Sequence, residues 1–377
     1  MSRTLRRMLA GFLAALCLSG SAACAFAASA VSASACVLMD ADSGRVLFAR
    51  EETRERAIAS ITKIMTAVVV LEHADPSARV TVKREHLKEG SSMYLQEGEE
   101  LTVEALLYGL MLPSGNDAAE CLAEACGGST ARFVGWMNQK AAQLGMTHTA
   151  FANPSGLDEA GHYSCALDMA RLAAYAMRDP AIVRLASTTG VTIGERTMTN
   201  HNRLLGTLDG CLGLKTGYTG QAGRTLVTCA ERDGLRLVAV TLNDGSDWQD
   251  HTALYDEAFA AYRRADAVRR GAVCASVAVR GGAAVSVDAV AAAGFACAAA
   301  DGEELTVRAE CAEEVAAPVA EGQRLGELVI LLDGRELGRV DLVAGDAVAA
   351  AREAAREGFA ARLWRFLIGQ TERRSES

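Results

Sequence analysis

The sequence predicts an α+β protein with three parts. A larger region in which strands and helices segregate is followed by a small all-β domain and then a C-terminal amphipathic helix. Three observations carry this. Alternating apolar runs around turn residues open the chain and return in its second half, with a helical stretch between them. Residues 270–345 turn Val-, Ala- and Gly-rich in short alternating runs. The stretch after that is dominated by Ala, Arg and Glu. With 377 residues, half of them apolar, the chain can build two or three domains with real cores. A formal charge of −9 argues against a nucleic-acid binder, which needs a basic face for phosphates.

In chain order, residues 1–27 read as a secretory signal. Arg3, Arg6 and Arg7 form a basic start, "MLAGFLAALCLSG" an apolar middle, and Ala25-Phe26-Ala27 a cleavage site. The expected location is therefore the extracytoplasmic face of the membrane or the cell wall. Cys24 offers a lipid-attachment alternative, which Ser21 fits poorly. Removal of residues 1–27 takes three arginines and no acids from −9, leaving −12. "SACVLMD", "ADSG" and "RVLFAR" then spell a hairpin. A helix follows from Ser60 to about His73, and a mostly helical region extends to about 180, broken at "PSGN". "TLVTCAERDGLRLVAVTLN" is a second hairpin around Asp233-Gly234. The helix "HTALYDEAFAAYRR" closes a first domain of residues 28–264, and a β-rich domain of residues 270–345 follows. Residues 347–370 read as a helix in which Phe359, Leu363 and Phe366 recur at i, i+4 and i+7. It is too short and too charged to span a bilayer. A surface anchor on the membrane and a helix docked on the β-domain are the two readings.

Of eleven cysteines, nine lie beyond the signal, and Cys121, Cys165 and Cys229 sit in apolar surroundings that suit buried thiols. No Cys/His spacing suggests a metal, and nothing calls for a cofactor.

The chemistry starts from "IASITKIMTA", residues 58–67, where Ser60 and Lys63 stand one helical turn apart in an apolar run. Alone this reads as a helix cap and a snorkelling lysine. "LPSGNDA" adds Ser114 and Asn116 at an interhelical break, and "GLKTGYTG" adds Lys215, Thr216, Gly217 and Tyr218 before the hairpin. Ser-x-x-Lys, Ser-x-Asn and Lys-Thr-Gly in this order form the motif set of penicillin-binding proteins and class A β-lactamases. The longer stretches "GSSMYLQEGEELTVEALLYGLMLPSGNDAA", "NPSGLDEAGHYSCALDMARLA" and "GLKTGYTGQAGRTLVTCAERDGLRLVAV" resemble the D-alanyl-D-alanine carboxypeptidase family of low-molecular-mass penicillin-binding proteins. "APVAEGQRLGELVILLDGRELGRVDLV" is similar to that family's β-rich second domain.

The resemblance implies an antiparallel sheet packed between helices, with the site where the helical half meets the sheet. It also implies acyl transfer from a peptidoglycan stem peptide ending in D-Ala-D-Ala to an enzyme serine and then to water, with β-lactam antibiotics as acylating inhibitors. Ser60 would be the nucleophile, with helix-start N–H groups facing the developing oxyanion. Lys63 would be its base, which requires a pKa brought from ~10.4 to about 7–8, or about 4 kcal/mol. Burial and a second ammonium, Lys215, both push that way. The resemblance further implies that Ser114 relays a proton to the leaving amine and that Asn116 holds Lys63. Lys215 and Thr216 would face the substrate carboxylate, Gly217 would admit the substrate along the strand, and the Tyr218 N–H would complete the oxyanion hole.

One departure stands out. Some members carry an arginine after the hairpin, where this chain has "NDGSDWQDHTALY". Carboxylate recognition then rests on Lys215 and Thr216, and two readings stand for the nearby pair: His251 joins them, or Asp250 and His251 cap the helix. Two other functions share the motifs. A class A β-lactamase needs a further glutamate for deacylation, and no Glu-x-x-Leu-Asn stretch lies between 114 and 215. A slow or inert penicillin-binding sensor of the wall is the other alternative.

Overall fold

The computed structural model describes residues 31–351. Strand β1 (Ala35–Asp40) pairs with β2 (Val46–Arg50) through the expected hairpin. Two short two-stranded pairs, β3 (Arg79–Thr81) with β4 (Glu100–Thr102) and β5 (Gly190–Ile193) with β6 (Arg196–Thr199), flank the helical half. Then come β7 (Cys211–Thr219), β8 (Gly223–Arg232) and β9 (Leu235–Leu242). The sheet order is β2-β1-β9-β8-β7, antiparallel throughout, so β7 is an edge. Asp233 and Gly234 both take positive φ, 50° and 76°, at the tight β8–β9 turn.

Period-two alternation gives this sheet two buried faces. Val37, Met39, Val227, Val238 and Val240 join the core of the helical half. Cys36, Leu38, Leu226, Leu237 and Ala239 pack instead with Leu254, Tyr255 and Ala258 of the helix Asp247–Ala261. The sheet between helices that the sequence implied is therefore present. At the centre of the helical half runs the helix Lys63–His73, whose first eight residues are all buried. An all-round apolar helix belongs there.

The helix expected to reach Arg264 ends at Ala261. Tyr262 begins β10 (Tyr262–Val268), which pairs with the later strand Phe295–Ala300. The second domain continues through β11 (Val273–Arg280), β12 (Ser286–Ala291), β13 (Phe295–Ala300), β14 (Leu305–Cys311), β15 (Glu314–Ala316), β16 (Arg324–Leu332) and β17 (Arg335–Ala344). Apart from β10 and β13 these form one six-stranded sheet, β14-β16-β17-β12-β11-β15, over its own core. The helix expected from 347 does not start there. Val348 is buried in that core and bridges Val319, and Ala350 bridges Gly282, so these residues close the β-domain. The rest of the expected amphipathic helix, like the signal of residues 1–27, lies outside the described residues. All nine cysteines among the described residues are free thiols.

Candidate active site

Ser60 sits in a 3-10 turn, Ala59–Thr62, that runs straight into the helix Lys63–His73. Its hydroxyl does not cap the helix. It meets the amine one turn on instead: Lys63 Nζ lies 2.9 Å from Ser60 Oγ. The same Nζ donates to Asn116 Oδ1 at 2.8 Å and to the Ser155 carbonyl at 2.6 Å. Those two acceptors take two N–H groups. In the neutral amine the remaining lone pair then points at Ser60, as a base requires. Lys63 is fully buried, and burial first, then the charge of Lys215, push its pKa well below the ordinary lysine value. Burial alone brings Lys215 down to about 7.

Asn116 starts the helix Asn116–Gly127, and its amide nitrogen donates to the Glu89 carbonyl, which fixes the oxygen towards Lys63. Ser114, two residues earlier, adopts φ +65°, and its buried hydroxyl has no partner among the described residues. A strained residue with an unsatisfied hydroxyl at the mouth of a site is where a substrate group is awaited. On the opposite wall β7 carries Lys215, Thr216, Gly217 and Tyr218. Lys215 Nζ donates to the Thr216 carbonyl at 2.9 Å. A Cβ on Gly217 would stand 2.5 Å from Thr225 Oγ1 and 2.9 Å from the Ser60 nitrogen. The glycine is therefore needed first for the strand's own approach to the nucleophile, before any approach of substrate.

Ser60, Ser114, Thr216, Gly217 and Tyr218 line one cavity of about 490 Å³, together with Ser91, Asn200, His201, Arg203, Arg224, Asp247 and Trp248. Lys63 reaches it through Ser60, Asn116 through Lys63, and Lys215 through Thr216. All eight residues singled out in the sequence thus meet around it. His251 and Asp250 do not. His251 is buried between Thr228 and Thr241, and Asp250 accepts from the Ser32 backbone and hydroxyl. Neither caps the helix, which begins at Asp247.

Arg224 was missed by the sequence reasoning. It faces Tyr218 in the β7–β8 register, so a register count through the hairpin "KTGYTGQAGR" would have found it. Its guanidinium is fixed by Asp247 (Nε–Oδ2 3.0 Å, Nη2–Oδ1 2.8 Å) and lies 5.5 Å from the Trp248 ring centre. Nη1 takes no part in that fork.

The sequence pattern of the D-alanyl-D-alanine carboxypeptidase family matches residues 22–246, and that of the C-terminal domain of penicillin-binding protein 5 matches 262–350. This chain belongs to the D-alanyl-D-alanine carboxypeptidase family. It is 34% identical over 345 residues to the D-alanyl-D-alanine carboxypeptidase DacF of Bacillus subtilis, covering 87% of each chain. It is 30% identical over 362 residues to DacA of Haemophilus influenzae, covering 90% of this chain and 89% of the relative. The crystal structure of penicillin-binding protein 5 from Haemophilus influenzae superposes with a TM-score of 0.73 at 29% identity, over 85% of this chain and 98% of the other. The likeness to this carboxypeptidase family thus spans both domains and not the catalytic half alone.

Proposed function

We propose that the chain is a serine D-alanyl-D-alanine carboxypeptidase that removes the terminal D-alanine of peptidoglycan stem peptides through an acyl-enzyme on Ser60, and that β-lactams acylate the same oxygen. The observation that carries the reading is the buried Lys63 amine, held by Asn116 and Ser155 with its remaining position on Ser60 Oγ.

Ser60 Oγ attacks the carbonyl carbon of the penultimate D-Ala while its proton passes to neutral Lys63. The backbone N–H groups of Ser60 and Tyr218 face the oxyanion. The proton then moves by way of Ser114 to the leaving amine, the C–N bond breaks, and free D-alanine departs. Water attacks the ester and gives its proton to Lys63, the bond from the acyl carbon to Oγ breaks, and Lys63 hands the proton back to Ser60 Oγ. With a β-lactam the leaving amine stays tethered, so the whole drug remains on the serine. The substrate's terminal carboxylate meets Lys215, Thr216 and Arg224 Nη1, a charge-assisted set. The reading also has residues 1–27 act as an export signal and the segment after Ala351 rest on the membrane surface. Sedimentation with anionic vesicles, with and without that segment, checks the latter.

Intact mass after brief exposure to benzylpenicillin tests the function, with release of D-alanine from a D-Ala-D-Ala peptide measured alongside. One drug mass is expected on the wild type, persisting, and none on Ser60→Ala. Rapid loss of the adduct with drug consumption would make the chain a β-lactamase, and an adduct without peptide turnover a sensor. Absence of any adduct would overturn the serine assignment. In the same assay Arg224→Gln is expected to need about 10–100-fold more drug, because one charged hydrogen bond to the carboxylate is lost.

A further inference from the structure

The turn that presents Ser60 is held in an unfavourable backbone conformation. Ala59 has φ +50°, the left-handed region where a Cβ crowds the following carbonyl. Such a residue persists only when its surroundings over-determine it. The Ala59 carbonyl is gripped from two sides. Thr62 Oγ1 donates to it at 2.8 Å, and Gly156 packs so closely that a Cβ there would sit 2.0 Å from the carbonyl oxygen. One residue earlier, Thr225 Oγ1 on β8 donates to the Ile58 carbonyl at 3.0 Å.

Thr62 has one hydroxyl proton and could aim it elsewhere. What directs it is His162, from the loop after Gly161, whose Nε2 lies 2.8 Å from Thr62 Oγ1. The Ala152 backbone N–H donates to His162 Nδ1 at 3.1 Å. Nδ1 must therefore carry the lone pair, which assigns the ring proton to Nε2. Nε2–H donates to Thr62, and Thr62 is left to donate to Ala59. His162 is buried, with Phe151 edge-on to its ring at 5.8 Å, and burial lowers its pKa to about 4, so it stays neutral.

We propose that His162 is a positioning residue for acylation: it orients the Thr62 hydroxyl onto the Ala59 carbonyl and thereby holds the left-handed turn that aims Ser60. It touches neither substrate nor Ser60 and acts through Thr62 alone. The proposal rests on Ser60 being the acylated serine.

The test is the rate of benzylpenicillin acylation at saturating drug, read apart from the apparent dissociation constant, in four variants of the full chain and in the Ala59→Gly reference. His162→Phe keeps the volume and removes the donor, and Thr62→Val removes the relay. Each is expected to slow acylation by about 10–100-fold, the scale of a misaimed nucleophile, with drug affinity unchanged. Because the two act in series, His162→Phe with Thr62→Val should be no slower than Thr62→Val alone. The fourth variant places His162→Phe on Ala59→Gly, where the turn needs no restraint, and it should acylate within a few-fold of Ala59→Gly itself. An unchanged rate in His162→Phe, multiplicative losses in the double variant, or an equal loss on the glycine background would each overturn the proposal. If His162→Phe fails to fold by circular dichroism, His162→Leu, which also removes the donor, is read on the alanine and glycine backgrounds and decides in the same way. No adduct on the wild type would instead fail the serine assignment.

Discussion

Lys215 shows what the site demands of a single residue. Lys215 is 1% exposed, its nitrogen makes one hydrogen bond, to its neighbour's carbonyl at 2.9 Å, and burial brings its pKa from 10.5 to about 7. A buried charge so lightly compensated is a burden on folding and an asset for binding an anion. The sign follows from proton counts. Between about pH 7 and 10.5 the unfolded lysine binds more protons than the folded one, so this group makes stability rise with pH. Below pH 7 its penalty is constant and largest. Lys215→Met is therefore expected to be more stable than the wild type by about 1–4 kcal/mol at pH 7, the range seen when buried charges give way to apolar groups. The advantage should shrink by pH 8.5, and the thiols, common to both proteins, cancel in the comparison. Urea unfolding at the two pH values checks this, and a variant less stable at pH 7, or an advantage that grows with pH, would refute it. Benzylpenicillin acylation should fall in the same variant.

Elements decide how much of the site was legible beforehand. Ser60 and Lys63 could be paired once Ser-x-Asn and Lys-Thr-Gly stood beside them, because a helix turn fixes their separation. The Asp233-Gly234 hairpin was legible because only left-handed residues fit that turn. The Ser155 and Glu89 carbonyls, which hold Lys63 and Asn116, were not legible, since a backbone oxygen leaves no mark in the side-chain sequence. Thr62 and His162 escaped for another reason: their contact joins segments 100 residues apart, whereas Arg224 needed only the β7–β8 register. The helix boundaries near 262 and 347 slipped because Tyr262 and Val348, both compatible with a helix, are claimed by strand pairing and a core. Gly217 carries the prediction at this scale. The edge strand lies against the nucleophile's turn only because this residue lacks a Cβ. Gly217→Ala must push β7 off Ser60 or distort Thr225, so acylation should fall by about 100-fold. Overpacking should also destabilise the domain by about 1–3 kcal/mol. Penicillin acylation kinetics and thermal unfolding measure the two effects, and wild-type acylation would show that the contact is slack.

At the scale of the whole molecule the two domains are joined by polar contacts as well as by the chain. Arg45, in the turn between β1 and β2, donates through Nη1 to Glu303 at 2.7 Å and to the Ala298 carbonyl at 2.6 Å, and it stacks 5.3 Å from the Tyr262 ring centre. Asp40 of β1 accepts from the Ala298 N–H at 2.8 Å. Ala298 belongs to the same core as Leu38 and Tyr255, so β13 is anchored on the first domain's sheet. Arg45 and Glu303 are 17% and 21% exposed, which places the pair between a surface bridge and a buried one. The guanidinium lowers the Glu303 pKa below 4.5. A depressed carboxylate contributes stability above its unfolded pKa and loses it as pH falls through the folded value, so the junction should weaken below about pH 4.5. Arg45→Ala removes three contacts and leaves Glu303 partly desolvated, at an expected loss of about 1–3 kcal/mol. Because the site lies at the other edge of the sheet, at β7, the loss should fall on the junction and spare acylation. Calorimetry is then expected to resolve an earlier transition of the second domain in the variant, with wild-type penicillin acylation at 25 °C. A single unshifted transition would mean that the shared core alone binds the domains, and slowed acylation would mean that strain at the junction reaches the site through the sheet.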